Sequence, residues 1–105
     1  MKKKIVHVDD DENWRETIKG VLKDEGLDVE SFSSLNEATK AMKNADRIIL
    51  DGNIDFDGDG FDCANKLHHK GKNVAVFSDD PDRQSEATQF KKSAWKSLLD
   101  WIKGD

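Results

Sequence analysis

The sequence is poor in the residues that staple, bend or anchor a chain. Of its 105 residues, one is cysteine, Cys63, and one is proline, Pro81. A lone cysteine leaves no internal disulfide framework and fits a reducing cytoplasm. No apolar run approaches the roughly 18 residues of a membrane span. The run Ile5–Val8 after Lys2-Lys3-Lys4 is too short for the apolar region of a signal peptide. Secreted, disulfide-stapled and membrane classes are set aside, and the expected location is cytoplasmic. A basic excess is also missing. Lys plus Arg number 17 against 22 Asp plus Glu, a net charge of −5, which argues against nucleic acid as a partner. There is no internal repeat and no low-complexity linker, and the length suits one domain over residues 1–105. Charged residues reach 37% and hydrophobic ones 35%. That is polar for a globular domain, but the apolar residues are clustered, so a core can form.

Ile5-Val6-His7-Val8 is a β-branched run ending in Asp9-Asp10-Asp11, the pattern of a buried strand that opens onto acids. Trp14, Ile18, Val21 and Leu22 then mark one helix face, stopped near Gly26. Leu27–Phe32 is a second, weaker strand. Ser34 with Glu37 has capping-box spacing, and Leu35, Ala38, Ala41, Met42 and Ala45 continue that helix. Ile48-Ile49-Leu50 is a third strand, followed by Asp51 and the Gly- and Asp-rich loop Gly52–Gly60. Phe61, Ala64 and Leu67 mark a third helix closed near Gly71. Val74-Ala75-Val76-Phe77 is a fourth strand ending at Ser78. From Asp79 to Glu86 the chain is polar, so any helix there is short. Ala87–Lys92 is predicted to hold a brief fifth strand, and Trp95, Leu98, Leu99 and Ile102 face a last helix.

Strands alternating with helices predict a parallel sheet covered on both faces. Right-handed crossovers send all strands the same way, so their C-terminal ends share one edge, where such sheets carry their sites. Asp9, Asp10, Asp51 and Ser78 are thereby expected together. Carboxylates that crowd each other raise at least one pKa unless a cation joins them. An all-oxygen set of this kind suits Mg²⁺. The metal offsets the repulsion and draws a phosphoryl group toward a carboxylate, which is itself a competent nucleophile. Ser78 supplies a hydroxyl and a lysine at the end of the fifth strand an ammonium for the equatorial oxygens.

The motifs Ile5-Val6-His7-Val8-Asp9-Asp10-Asp11 with Arg15, Ile48-Ile49-Leu50-Asp51-Gly52-Asn53, Val74-Ala75-Val76-Phe77-Ser78 and a lysine before the last helix resemble the receiver domain of bacterial response regulators. The resemblance runs over essentially the whole chain. It implies a doubly wound five-stranded parallel sheet of flavodoxin-like order 2-1-3-4-5, here with a shortened or missing fourth helix. It implies Asp51 as phosphoryl acceptor, Asp10, Asp51 and the Asn53 carbonyl as direct Mg²⁺ ligands, and Asp9 as a ligand through water. Ser78 and the lysine would contact the phosphoryl group. The donor would be a phosphohistidine on a sensor histidine kinase or phosphotransfer protein, and the readout a downstream protein target. A stand-alone receiver of this kind turns over no metabolite, so it is not expected to be an enzyme beyond its own phosphoryl chemistry. Taking Phe90 as inward-facing selects Lys92 as the site lysine, whereas counting back from Leu98 and Leu99 selects Lys91; Lys92 is favoured. The chain departs from the family in four places: Asp79 follows Ser78, the stretch to the lysine is short, Ser93 replaces a proline, and Thr88 or Gln89 stands where an aromatic switch residue is usual.

Two other functions share these residues. One is a degenerate pseudo-receiver, a binding module without switching. The other is a small haloacid dehalogenase-like phosphatase, since Asp9-x-Asp11 after an apolar strand resembles that nucleophile motif and Val74–Ser78 its second motif, with Asp9 attacking. Asp55-Phe56-Asp57-Gly58-Asp59-Gly60 matches the first half of a calcium loop, but Lys66 stands at its twelfth position, so a polar turn is expected. His7 is expected as a packed core imidazole, and His68 and His69 as a helix end. Cys63 is expected as buried filler, Trp14 and Trp95 in the core, Trp101 exposed as a contact residue, and Lys2–Lys4 as a solvated flank.

Overall fold

A computed structural model of the chain describes residues 3–56, 58–80 and 83–104. Lys2, Asp57 and Pro81 lie outside the described residues, and with them the expectations that rest on them. Five strands, β1 (Lys4–Val8), β2 (Asp28–Phe32), β3 (Arg47–Leu50), β4 (Val74–Phe77) and β5 (Thr88–Phe90), form one parallel sheet in the order β2-β1-β3-β4-β5. Four helices, α1 (Glu12–Asp24), α2 (Leu35–Lys43), α3 (Asp59–His69) and α4 (Trp95–Lys103), cover it. Between β4 and β5 no helix forms among the described residues, and a single 3-10 turn, Lys92–Ala94, precedes α4.

The period of two along each strand sorts the core into two layers. Val6, Val8, Ile48, Leu50, Val74 and Val76 meet Ala38 and Met42 of α2 and Phe61 and Ala64 of α3. Ile5, Val29, Ile49, Ala75 and Phe77 meet Ile18 and Leu22 of α1 and Leu98 and Ile102 of α4 on the opposite face. A sheet buried on both faces needs continuous apolar strands, and β3 and β4 are buried at every position. No helix among the described residues is long and apolar enough to cross a membrane.

The helix ends follow their local chemistry. The Asp11 carboxylate accepts from the backbone N–H of Asn13 and Trp14 and caps α1. Ser34 caps α2 by accepting from Glu37 N–H at 3.2 Å, while the Glu37 carboxylate takes the Ser33 hydroxyl instead of closing the box. α1 ends with Gly26 at φ 77°. There the N–H groups of Gly26 and Leu27 bond the Lys23 and Leu22 carbonyls, a Schellman arrangement that favours glycine.

Several placements differ from expectation. β2 begins at Asp28, not Leu27, and β5 is confined to Thr88–Phe90. Trp95 is 43% exposed because it opens α4 at the rim of a groove between α1 and α4, not under the sheet. Trp101 is half-buried, tilted against Phe90 and under the Arg47 guanidinium. Arg47 itself is 6% exposed and donates to the carbonyls of Asp46, Trp101 and Gly104. Cys63 is half-buried against the α2–α3 layer. Lys3 reaches the carbonyls of Ile102 and Gly104, and Lys4 pairs with Glu30 at 3.3 Å, so that flank braces the fold.

Candidate functional site

The sheet ladder continues one step beyond its apolar runs, and that step carries the polar groups. Asp9 N–H donates to Phe32 O, Asp51 N–H to Val8 O and Ser78 N–H to Phe90 O. The backbones of Asp9, Asp51 and Ser78 are therefore fixed by neighbouring strands before any side-chain contact is made. One carboxylate oxygen from each of Asp9, Asp10 and Asp51 lies within 4.8 Å of the others. Asp9 is buried, Asp51 is 9% exposed and Asp10 is exposed. Asp51 lines a cleft of about 520 Å³ whose other walls include Trp14, Asn53, Ser78 and Lys92.

Of the two lysines, Lys92 is the one that reaches in. Its ammonium lies 3.2 Å from Asp51 Oδ1, 3.4 Å from Asp9 Oδ2 and 4.8 Å from the centre of the Trp14 ring. Lys91 lines the neighbouring polar cleft. The first turn after β5 brings Lys92 inward, and the Asp79 carboxylate holds its backbone N–H at 2.8 Å. Asp79, a departure from the family pattern, thus ties the end of β4 to the turn that carries the lysine.

Further bonds brace the acids. Asp9 Oδ1 accepts from Asp11 N–H at 2.9 Å, and Arg15 Nη1 donates to the Asp9 carbonyl at 2.7 Å. The Ser78 hydroxyl accepts from Asp80 N–H. Asn53 Oδ1 accepts from Gly58 N–H at 2.6 Å. In the loop, the Asp59 carboxylate takes the N–H groups of Ile54, Asp55 and Phe56. That use makes Asp59 an organiser of a polar turn. Gly60 donates to Gly52 O, and a Cβ on Gly60 would meet the Asp51 carbonyl, so glycine lets α3 approach the acid that ends β3.

Burial pushes the Asp51 carboxyl up from 3.8 to about 6; the Asp9 charge adds to the rise and the Lys92 ammonium opposes it. Burial also raises Asp9, against the bonds from Asp11 and Lys92. His7 is fully buried, and burial together with Lys92 and Arg15 lowers it from 6.5 to about 3, so its imidazole is neutral. The site is therefore a cluster of mutually repelling acids with the Lys92 ammonium between Asp9 and Asp51, a setting in which an added cation is favourable. Trp14 forms part of its wall, a role its helical spacing does not reveal, because the contact with Lys92 spans most of the chain.

A doubly wound sheet with acids and a lysine at its strand ends defines a flavodoxin-like protein with its site at that edge. Residues 5–98 match the response regulator receiver domain, and the chain belongs to that family. No curated protein matches the sequence. Among solved structures, the fold is similar to the chemotaxis response regulator CheY4 of Vibrio cholerae, with a TM-score of 0.77 and 20% identity over 97% of this chain and 99% of that one. It is similar to a response regulator receiver protein of Pseudomonas putida, TM-score 0.78 and 19% identity over 97% and 96%. It is also similar to a receiver domain protein of Bacillus halodurans, TM-score 0.77 and 16% identity over the whole of both chains.

Proposed function

We propose that this chain is a cytoplasmic signalling domain that accepts a phosphoryl group on Asp51. The donor is a phosphohistidine on a sensor histidine kinase or phosphotransfer protein. A carboxylate oxygen of Asp51 forms the new O–P bond as the P–N bond breaks and its electron pair returns to the donor imidazole. The aspartyl phosphate then biases an inactive–active equilibrium that a downstream protein reads. The domain turns over no metabolite; its chemistry is confined to gaining and losing that group.

The observation that carries this reading is the meeting of Asp9, Asp10 and Asp51 with the Lys92 ammonium at one sheet edge. The donor set fits Mg²⁺: carboxylate oxygens are hard ligands, and the buried acids repel each other. Asp10 and Asp51 with the Asn53 carbonyl would hold the ion directly, and Asp9 through water. When bound, Mg²⁺ neutralises charge on the transferring phosphoryl oxygens. Lys92 and Ser78 offer an ammonium and a hydroxyl to the same oxygens. A phosphatase with Asp9 as nucleophile is disfavoured, because the Asp9 side chain is 1% exposed against 12% for Asp51.

Incubation with acetyl phosphate and Mg²⁺, followed by intact mass spectrometry, tests the proposal. One added phosphoryl group is expected on the wild type and none on Asp51→Asn. No addition to either, or addition to both, counts against it. The second reading, a pseudo-receiver, draws support from the absence of a helix among the described residues between β4 and β5. It predicts partner binding that is equal for wild type and Asp51→Asn, with or without a phosphoryl donor.

A further inference from the structure

β1 carries a buried polar group that the site chemistry above does not use. His7 and Asp9 project from the same face of the strand, being two residues apart. The imidazole is fully buried, and neither Nδ1 nor Nε2 has a hydrogen-bond partner. Its cross-strand neighbour in register is Ser31, whose hydroxyl is buried and equally unpartnered. Buried polar groups without partners are rare in folded proteins, and each calls for an explanation. A neutral imidazole has one N–H to give and one lone pair to fill. His7 Nε2 stands 4.0 Å from Asp9 Oδ2. That oxygen is served at present by the Lys92 ammonium at 3.4 Å, while Asp9 Oδ1 is held by Asp11 N–H.

These placements have a consequence once Lys92 turns to a phosphoryl group. Asp9 Oδ2 then loses its donor while remaining buried, and a carboxylate oxygen left in that state is costly. We infer that His7 is a positioning residue for Asp9: its Nε2–H takes over Asp9 Oδ2 when the Lys92 ammonium moves to a phosphoryl group on Asp51, with the Ser31 hydroxyl donating to Nδ1. The Ser31–His7–Asp9 chain keeps the acid oriented toward the metal position in the modified state. Outer partners of this kind fix the tautomer and direction of the groups that hold a metal. The inference rests on the phosphoryl-acceptor reading and deepens it.

Beryllofluoride with saturating Mg²⁺ is the probe, followed by tryptophan fluorescence, since Trp14 lies against Lys92. His7→Leu is expected to weaken apparent beryllofluoride affinity by about tenfold, and His7→Gln, which keeps a side-chain N–H, by much less. A purely structural histidine predicts near wild-type beryllofluoride affinity in both variants, with only their unfolding stability changed, Gln losing more than Leu because it retains an unsatisfied polar group. Imidazole ¹⁵N NMR on the wild type supplies an independent readout: the proton resides on Nε2, and its signal moves on loading with Mg²⁺ and beryllofluoride. Wild-type affinity in His7→Leu, or a proton on Nδ1 in the loaded protein, overturns the inference and leaves the acceptor reading standing. A wild type that binds no beryllofluoride overturns both.

Discussion

Asp51→Asn is expected to make the metal-free protein more stable, and only above a defined pH. The folded carboxyl is lifted from 3.8 to about 6, chiefly by burial and then by Asp9. At about 1.4 kcal/mol per tenfold in acidity, the lift corresponds to roughly 3 kcal/mol of destabilisation when the group is ionised. Water reaching the 12% of the side chain that is exposed reduces this to about 2 kcal/mol. The folded form holds its proton to higher pH than the unfolded form. Stability conferred on the wild type therefore falls as pH rises from 3.8 to about 6, whereas asparagine does not ionise. Urea denaturation followed by tryptophan fluorescence, without divalent cations, measures the difference. The two proteins are expected to coincide near the acid end of that window and to separate by about 2 kcal/mol above it. Saturating Mg²⁺ narrows or reverses the gap, because a ligand that binds only the folded wild type stabilises it by mass action. A variant less stable than wild type at neutral pH, or a gap independent of pH, refutes the picture of a strained buried carboxylate.

Other substitutions separate the parts of the site. Lys92→Met removes the ammonium from Asp9 and Asp51 and is expected to raise the Asp51 pKa further, read by carboxyl ¹³C NMR; Lys91→Met leaves that titration unchanged. Gly60→Ala drives a methyl group into the Asp51 carbonyl, and a loss of more than about 2 kcal/mol is expected in thermal or urea unfolding. Asp11→Ala leaves the N–H groups of Asn13 and Trp14 without their cap and is expected to cost about 1 kcal/mol in the same assay.

The sheet was legible because strands covered on both faces are mostly apolar, and Ile5–Val8, Ile48–Leu50 and Val74–Phe77 are short runs, apolar except for His7, bounded by polar residues. That Asp9, Asp51 and Ser78 at their ends share one edge followed from the parallel topology. What escaped the sequence depends on contacts between distant elements. Arg47 reads as a polar residue before a strand, yet its guanidinium is buried by the end of α4 and the Trp101 ring. Trp95 shares its spacing with Leu98 and Ile102 but sits at the first residue of α4 and lines the groove against α1. The choice between Lys91 and Lys92 turned on where β5 stops, and strand ends are poorly marked when the strand is only Thr88–Phe90. The nearness of His7 to Asp9 was implicit in their two-residue spacing, but the missing partners of the imidazole emerge only with the packed sheet.

The most direct measurement is a crystal structure of the chain grown with Mg²⁺ and beryllofluoride. The expected result is beryllofluoride on a carboxylate oxygen of Asp51, contacted by Lys92 and Ser78, with the metal against Asp10, Asp51 and the Asn53 carbonyl. Beryllofluoride on Asp9, or a metal bound away from Asp51, would contradict it.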